Sequence, residues 1–251
     1  MAEQINRKVL DLSHYNTILD WNKIRDAGIV GIIHKSTEGG TYVDKEYAER
    51  RQQAIAAGLL WGAYHFGNAT EVEEQVQNFL KNVDWENWPT LLALDYEPNQ
   101  KSQMSLDQTR VFMQRVYEIT KQMPVLYSGN LIKEQLGSRE DQFFGSHRLW
   151  LAQYGSTPSV PAAWDTYWLW QYSDGAAGPE PKNCPGVNSP VDTNSFLGSD
   201  QDLANQWLGM EAQPEPIPEP PEPEPDEEHD MIEVQIKIKV PKGTLVDVSV
   251  E

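Results

Sequence analysis

The chain has a single cysteine, Cys184, in 251 residues. A lone thiol excludes an internal disulfide framework and offers a metal no thiolate pair, so Cys184 reads as an inert loop residue. Basic residues are also scarce: 20 Lys and Arg face 38 Asp and Glu, for a formal net charge of −18. Neither a basic patch nor a glycine-rich phosphate loop is present to hold nucleic acid or a nucleotide. No stretch approaches the roughly 20 apolar residues of a membrane span, so no membrane insertion is expected. The opening residues Met1-Ala2-Glu3-Gln4-Ile5-Asn6-Arg7-Lys8 lack the apolar core of a signal peptide. The expectation is a protein with no export leader that collects in the cytoplasm where it is made.

Aromatic residues are abundant, with 9 Trp and 10 Tyr, and 39% of the chain is apolar, which suits one large buried core. Charge is unevenly spread. Residues 211–230 hold nine acids, seven prolines and no Lys or Arg, a composition that favours polyproline II and has nothing to bury. Every Trp, Tyr and Phe lies at or before Trp207. The expected division is a folded domain over 1–210, a stiff Pro/Glu linker over 211–230 and a small segment over 231–251. In that last segment Ile232, Val234, Ile236, Ile238 and Val240 alternate with polar residues, and Val246, Val248 and Val250 alternate again after Pro241-Lys242-Gly243-Thr244. This is a β-hairpin pattern with one apolar face. Because a lone hairpin is marginally stable in water, the expectation is a homo-oligomer formed through residues 231–251.

Within the first 210 residues, apolar strand-like runs fall at 8–12, 28–34, 59–66, 90–95, 124–128, 148–154, 167–172 and 191–196. Amphipathic segments separate them. Thr70 and Glu73 match a capping box before Val76, Phe79, Leu80 and Val83 at helical spacing, and Ser105 and Gln108 repeat the signal. A further helix is expected over 44–57, ended by Gly58. Strands alternating with helices imply an α/β barrel with parallel pairing. The loop-like stretch 155–165, with Pro158 and Pro161, breaks the alternation. The expected fold is an irregular TIM-like barrel of eight strands and fewer than eight helices.

In such a barrel, functional groups gather at the carboxyl ends of the strands. Those ends carry Asp11, Glu38, Tyr64 and Phe66, the pair Asp95 and Glu97, Tyr127, Gln153 and Tyr154, Trp170, and, in the last run, Asp192. Asp95 and Glu97 are two apart on an extended chain, so their carboxylates emerge on one side. Like charges so close resist ionising together, which raises one pKa and leaves the other low, the arrangement of an acid/base pair. Aromatic faces stack on sugar rings and carboxylates bind hydroxyls, so this rim suits a carbohydrate. Tyr64, Tyr127 and Trp170 are the expected sugar-stacking residues, while Trp61, Trp150 and Trp168 read as core. His14, His34 and His65 lack the dense spacing of a zinc site; no metal or cofactor is expected.

The segments Asp11-Leu12-Ser13, Lys35-Ser36-Thr37-Glu38-Gly39, Gly62-Ala63-Tyr64-His65-Phe66, Leu94-Asp95-Tyr96-Glu97, Leu149-Trp150-Leu151-Ala152-Gln153-Tyr154, Trp170-Gln171-Tyr172 and Val191-Asp192-Thr193-Asn194 together resemble glycoside hydrolase family 25, the Chalaropsis-type lysozymes. The resemblance covers residues 7–209 in the family's order, departing at His34 and Tyr96 without losing a carboxylate. It implies N-acetylmuramidase activity on peptidoglycan, with catalytic acids at Asp11, Asp95, Glu97 and Asp192. With no export leader expected, it also implies a bacteriophage endolysin held in the host cytoplasm before release to the wall. On this reading Glu97 is the general acid and later base, with net retention, and Asp95 stays ionised and holds Glu97 protonated. Asp95 or Asp192 supplies the negative partner, through the substrate's acetamide or directly, and Asp11 orients sugar or water. Two other classes fit the same barrel. A metal-dependent peptidoglycan hydrolase or deacetylase would be abolished by a chelator, and a non-catalytic glycan-binding module would release no reducing ends.

Overall fold

A computed structural model describes residues 5–188 and 190–209. The linker 211–230 and the hairpin pattern at 231–251 lie outside the described residues. In chain order the elements are β1 (Arg7–Leu12), α1 (Trp21–Asp26), β2 (Gly31–Glu38), β3 (Tyr42–Val43), α2 (Tyr47–Ala56), β4 (Leu60–Phe66), α3 (Val72–Val83), β5 (Leu91–Asp95), α4 (Leu106–Thr120), β6 (Val125–Ser128), α5 (Asn130–Leu136), α6 (Gln142–Ser146), β7 (Leu149–Ala152), β8 (Leu169–Ser173), β9 (Asp192–Ser195) and α7 (Asp200–Gln206). The sheet runs β1-β9-β8-β7-β6-β5-β4-β2, and β1 pairs with β2 to close it. The result is a barrel of eight strands with seven helices among the described residues, as the strand-like runs imply. The two-residue β3 is appended to β2 at the rim.

The barrel departs from all-parallel pairing at one place. Setting aside the rim strand β3, which is antiparallel to β2, the neighbouring barrel strands from β1 through β8 are parallel, but β9 runs antiparallel to both β8 and β1. The cause lies in the connection. Among the described residues no helix forms between 174 and 191, and the chain re-enters at the end it left, which a parallel strand cannot do without a crossover. Asp192 therefore stands at the amino end of its strand, not at a carboxyl end as expected. It still reaches the same mouth, directly opposite Asp11 in the β1–β9 register.

Strand alternation sorts side chains into two cores. Val9, Ile33, Leu91, Ala93, Val125, Trp150 and Leu169 fill the barrel, while Leu10, Ile32, Leu92, Leu94 and Leu126 face outward against Phe79, Phe112 and Val116 of the helices. The opposite end is stoppered by Trp207, whose indole N–H donates to the Trp61 carbonyl at 2.7 Å. The ring packs so tightly on Gly31 that a Cβ there would meet it at 2.4 Å.

Helix α3 buries Val76, Phe79, Leu80 and Val83 as its spacing predicts. Its expected capping box is not formed: the N-cap is Glu71, with no side-chain cap, and the Thr70 hydroxyl donates instead to Asn68 Oδ1 at 2.6 Å. In α4 the Ser105–Gln108 box forms in both directions. Helix α2 begins later than expected because Asp44 turns away from it. The Asp44 carboxylate accepts the Glu46 backbone N–H at 2.9 Å, a local bond that competes with helix.

Candidate active site

Seven of the expected site residues line one cavity of about 170 Å³ at the barrel mouth: Asp11, Tyr64, Asp95, Glu97, Tyr127, Tyr154 and Asp192. Trp150 and Gln171 complete it. Asp95 and Glu97 flank Tyr96, whose buried ring points to the outer core, so alternation aims both acids inward. The segment is pinned from its neighbour: the Tyr96 N–H donates to the Tyr127 carbonyl at 2.9 Å, and the Ser128 hydroxyl donates to the Tyr96 carbonyl at 2.6 Å.

Asp11 forms the floor of the cavity. Gln171 Nε2 donates to its two oxygens at 3.1 and 3.0 Å, and Asn194 Nδ2 donates to Oδ2 at 2.8 Å. Both amides are oriented in turn. The Tyr127 hydroxyl donates to Gln171 Oε1 at 2.8 Å, and the Trp150 indole N–H donates to Asn194 Oδ1 at 2.6 Å. Tyr127 and Trp150 meet edge to face with centroids 4.6 Å apart, a favoured aromatic geometry.

All four acids hold protons more tightly than free carboxyls. Burial lifts Asp11 to about 6 despite the amide donors that favour its ion. Burial, then the Asp11 charge, lifts its hydrogen-bonded partner Asp192 to about 9, so the proton of that pair rests on Asp192. Burial and the Glu97 charge push Asp95 well above the usual range. Glu97, only partly covered, is raised by burial and by Asp11, with Lys35 opposing. Asp95 is 6% exposed and its Oδ1 is buried with no hydrogen-bond partner, so burial and the neighbouring Glu97 charge both favour its protonated form in the free protein.

This arrangement carries a stability cost with a defined pH window. An unfolded Asp ionises near 4, whereas folded Asp192 keeps its proton to about 9, so the folded state binds more protons and stability falls as pH rises across that span. Asp192→Asn keeps a donor toward Asp11 and removes the penalty. The variant is expected to melt several degrees above wild type at pH 8, where the penalty is large, and level with it at pH 4. Thermal melts at the two pH values check this; a gain of equal size at pH 4 contradicts the electrostatic cause.

Four expected residues lie elsewhere. Glu38 is paired with Lys35 at 2.6 Å, and Phe66 lies 4.8 Å beneath the same ammonium. Gln153 braces the β7–β8 loop, accepting from Lys133 Nζ at 2.6 Å and from the Ser159 N–H at 3.1 Å. Trp170, expected to stack on sugar, is fully buried in the outer core with its indole N–H on the Gln153 carbonyl. One position along β8 flips the face, so it is Gln171 that enters the cavity. Two of the three histidines are core residues: His34 and His65 are fully buried and lowered to about 4 by desolvation, each with partners on both ring nitrogens. Among the described residues no group of three His, Cys, Asp or Glu is arranged to hold a metal ion.

Sequence reasoning missed Gln171, Asn194 and Trp150 as parts of the site. A signal existed for the two amides, because a polar residue inside a buried apolar strand must find a hydrogen-bond partner.

Residues 10–180 match the model of the glycosyl hydrolases family 25. Lysozyme M1 of Streptomyces globisporus is 28% identical over 205 residues, covering 76% of this chain and 67% of that protein. Among solved structures, the bacterial lysozyme from Streptomyces coelicolor superposes with a TM-score of 0.67 at 27% identity, over 82% of this chain and 99% of its own. A family GH25 lysozyme from Aspergillus fumigatus gives 0.68 at 26% identity, over 82% and 100%. Among the described residues no helix is long and apolar enough to cross a membrane.

Proposed function

The chain belongs to the glycosyl hydrolases family 25 and is a glycoside hydrolase, and from that premise we propose that it is an N-acetylmuramidase. It cleaves the β-1,4 bond between N-acetylmuramic acid and N-acetylglucosamine in bacterial peptidoglycan. The observation that carries this reading is the cavity itself, in which four proton-retaining carboxyls face one another between Tyr64, Tyr127, Trp150 and Tyr154. Glycoside cleavage needs a protonated acid on the leaving oxygen and negative charge at the oxocarbenium-like centre.

Glu97 is the acid. Its carboxyl is the more open member of the close pair, free to reach an entering glycosidic oxygen, and its raised pKa keeps a proton available. The Asp95 carboxyl, which lines the cavity, accepts the acetamide N–H of the bound sugar. That hydrogen bond favours the Asp95 ion, whose proton leaves to solvent as the sugar binds, and turns the acetamide oxygen toward the anomeric carbon, giving attack without an enzyme nucleophile and net retention. Glu97, deprotonated by the first step, then draws the proton from the incoming water. Asp11, held by two oriented amides, and Asp192, sharing its proton, line the opposite wall and position sugar or water. Lysis of a bacterial host by a phage-encoded enzyme, the division of the chain at residue 210 and self-association through 231–251 belong to the same proposal.

The bond is identified by its new end. Digested peptidoglycan, reduced with borohydride and hydrolysed, is expected to yield reduced muramic acid. Reduced glucosamine would make the enzyme a glucosaminidase, and no reduced sugar would remove hydrolysis altogether.

A further inference from the structure

The turn that follows β1 is fastened from beneath by buried charged groups. Arg50 donates to the Ser13 carbonyl at 2.7 Å and to the Asn16 carbonyl at 2.8 Å, and it is 8% exposed. Buried Asp44 accepts the His14 backbone N–H at 2.9 Å and lies the same distance from His14 Nδ1. The His14 ring stands 4.0 Å, centroid to centroid, from that of Tyr15, and its Nδ1 lies 3.2 Å from the Tyr42 hydroxyl. What this scaffold presents to solvent is Tyr15, 82% exposed, beside Tyr42, 40% exposed. Rigid aromatic faces held in water supply contact area with little further ordering cost.

Two observations join this platform to the cavity. At about 170 Å³ the cavity is smaller than the ~300–1,000 Å³ that houses a drug-sized ligand, so a polymeric glycan must run out over the rim. Lys35 spans the gap: its ammonium lies 5.3 Å from the Tyr42 ring centre, and its charge acts on Asp95 and Glu97. His14 is also only three residues past Asp11, about 11 Å of chain at most.

We propose that Tyr15 and Tyr42 form an outer subsite that stacks on the sugars of the glycan strand beyond the scissile bond; the proposal rests on the muramidase reading above. The glycan is the occupant because the platform offers ring faces. The cation that borders it, Lys35, is already paired with Glu38 at 2.6 Å, so a stem-peptide carboxylate would have to displace that partner.

The test measures KM and kcat on peptide-bearing glycan strands and on strands stripped of stem peptides by an amidase, with wild type, Tyr15→Ala and Tyr15→Trp. Tyr15→Ala is expected to raise KM on the order of tenfold with kcat within about twofold, the pattern of lost uniform binding. Tyr15→Trp, which restores a ring face, is expected to return KM close to wild type. An unchanged KM in Tyr15→Ala overturns the subsite. A KM that rises only on peptide-bearing strands assigns the platform to the stem peptide and overturns the glycan assignment. If wild type releases no reducing ends from either substrate, it is the muramidase reading that fails.

Discussion

Glu97→Gln is expected to lower peptidoglycan hydrolysis by about 10²–10⁴-fold, the usual range for loss of a general acid. Gln preserves the shape and hydrogen-bonding span of Glu but cannot give up a proton to the leaving oxygen. The surrounding wall does not depend on the Glu97 carboxylate: Asp11 is held by Gln171 and Asn194, and the backbone between the pair is held by Tyr127 and Ser128. The fold should therefore survive, with a melting temperature no lower than wild type. Release of reducing ends from purified cell walls, followed beside a thermal melt, gives both readouts. Activity within tenfold of wild type would mean that another group protonates the leaving oxygen.

Asp95→Asn is expected to cost about 10²-fold or more in kcat, comparable to removing a preorganised electrostatic contact at the reacting centre. The reason is charge rather than shape. The acetamide N–H needs a negative acceptor to polarise its oxygen toward the anomeric carbon, and Asn supplies a neutral one. Stability should move the other way. Asp95 is buried, has an unpartnered oxygen and resists ionisation, so a neutral side chain relieves the cost of keeping it there, and the melting temperature at pH 7 should not fall. Loss of activity together with retained or improved stability is the diagnostic pair. A kcat within about threefold of wild type, or a large fall in melting temperature, contradicts this role.

The barrel was legible where local patterns are strong. Eight apolar runs mark its eight strands, and the spacing of Val76, Phe79, Leu80 and Val83 marks α3. The direction of β9 was not, because the period of two that identifies a strand has no polarity. Within the site, the acids were legible because Asp95 and Glu97 are two apart, and their spacing encodes a shared face. Trp170 and Gln171 are one apart, and composition alone cannot say which of them turns inward. The raised proton affinity of all four acids was also hidden, since it follows from burial in the folded cavity. That depends on Tyr64, Tyr127 and Trp150, all distant in sequence.

The reversed strand that closes the barrel also sets the order in which the site comes into being. Asp11 and Asp192 are neighbours across a ladder yet are contributed by opposite ends of the domain, and the Asn6 N–H finds its acceptor, Ser195 Oγ, 189 residues away. Pairings of such long sequence separation are slow to form and late to appear. During synthesis the nascent chain has Asp11, Asp95 and Glu97 in hand long before the strand bearing Asp192 emerges, and the Trp207 stopper follows later still. A barrel that lacks β9 lacks both Asp192 and the Asn194 amide that holds Asp11, so the site is complete only when the last strand has paired.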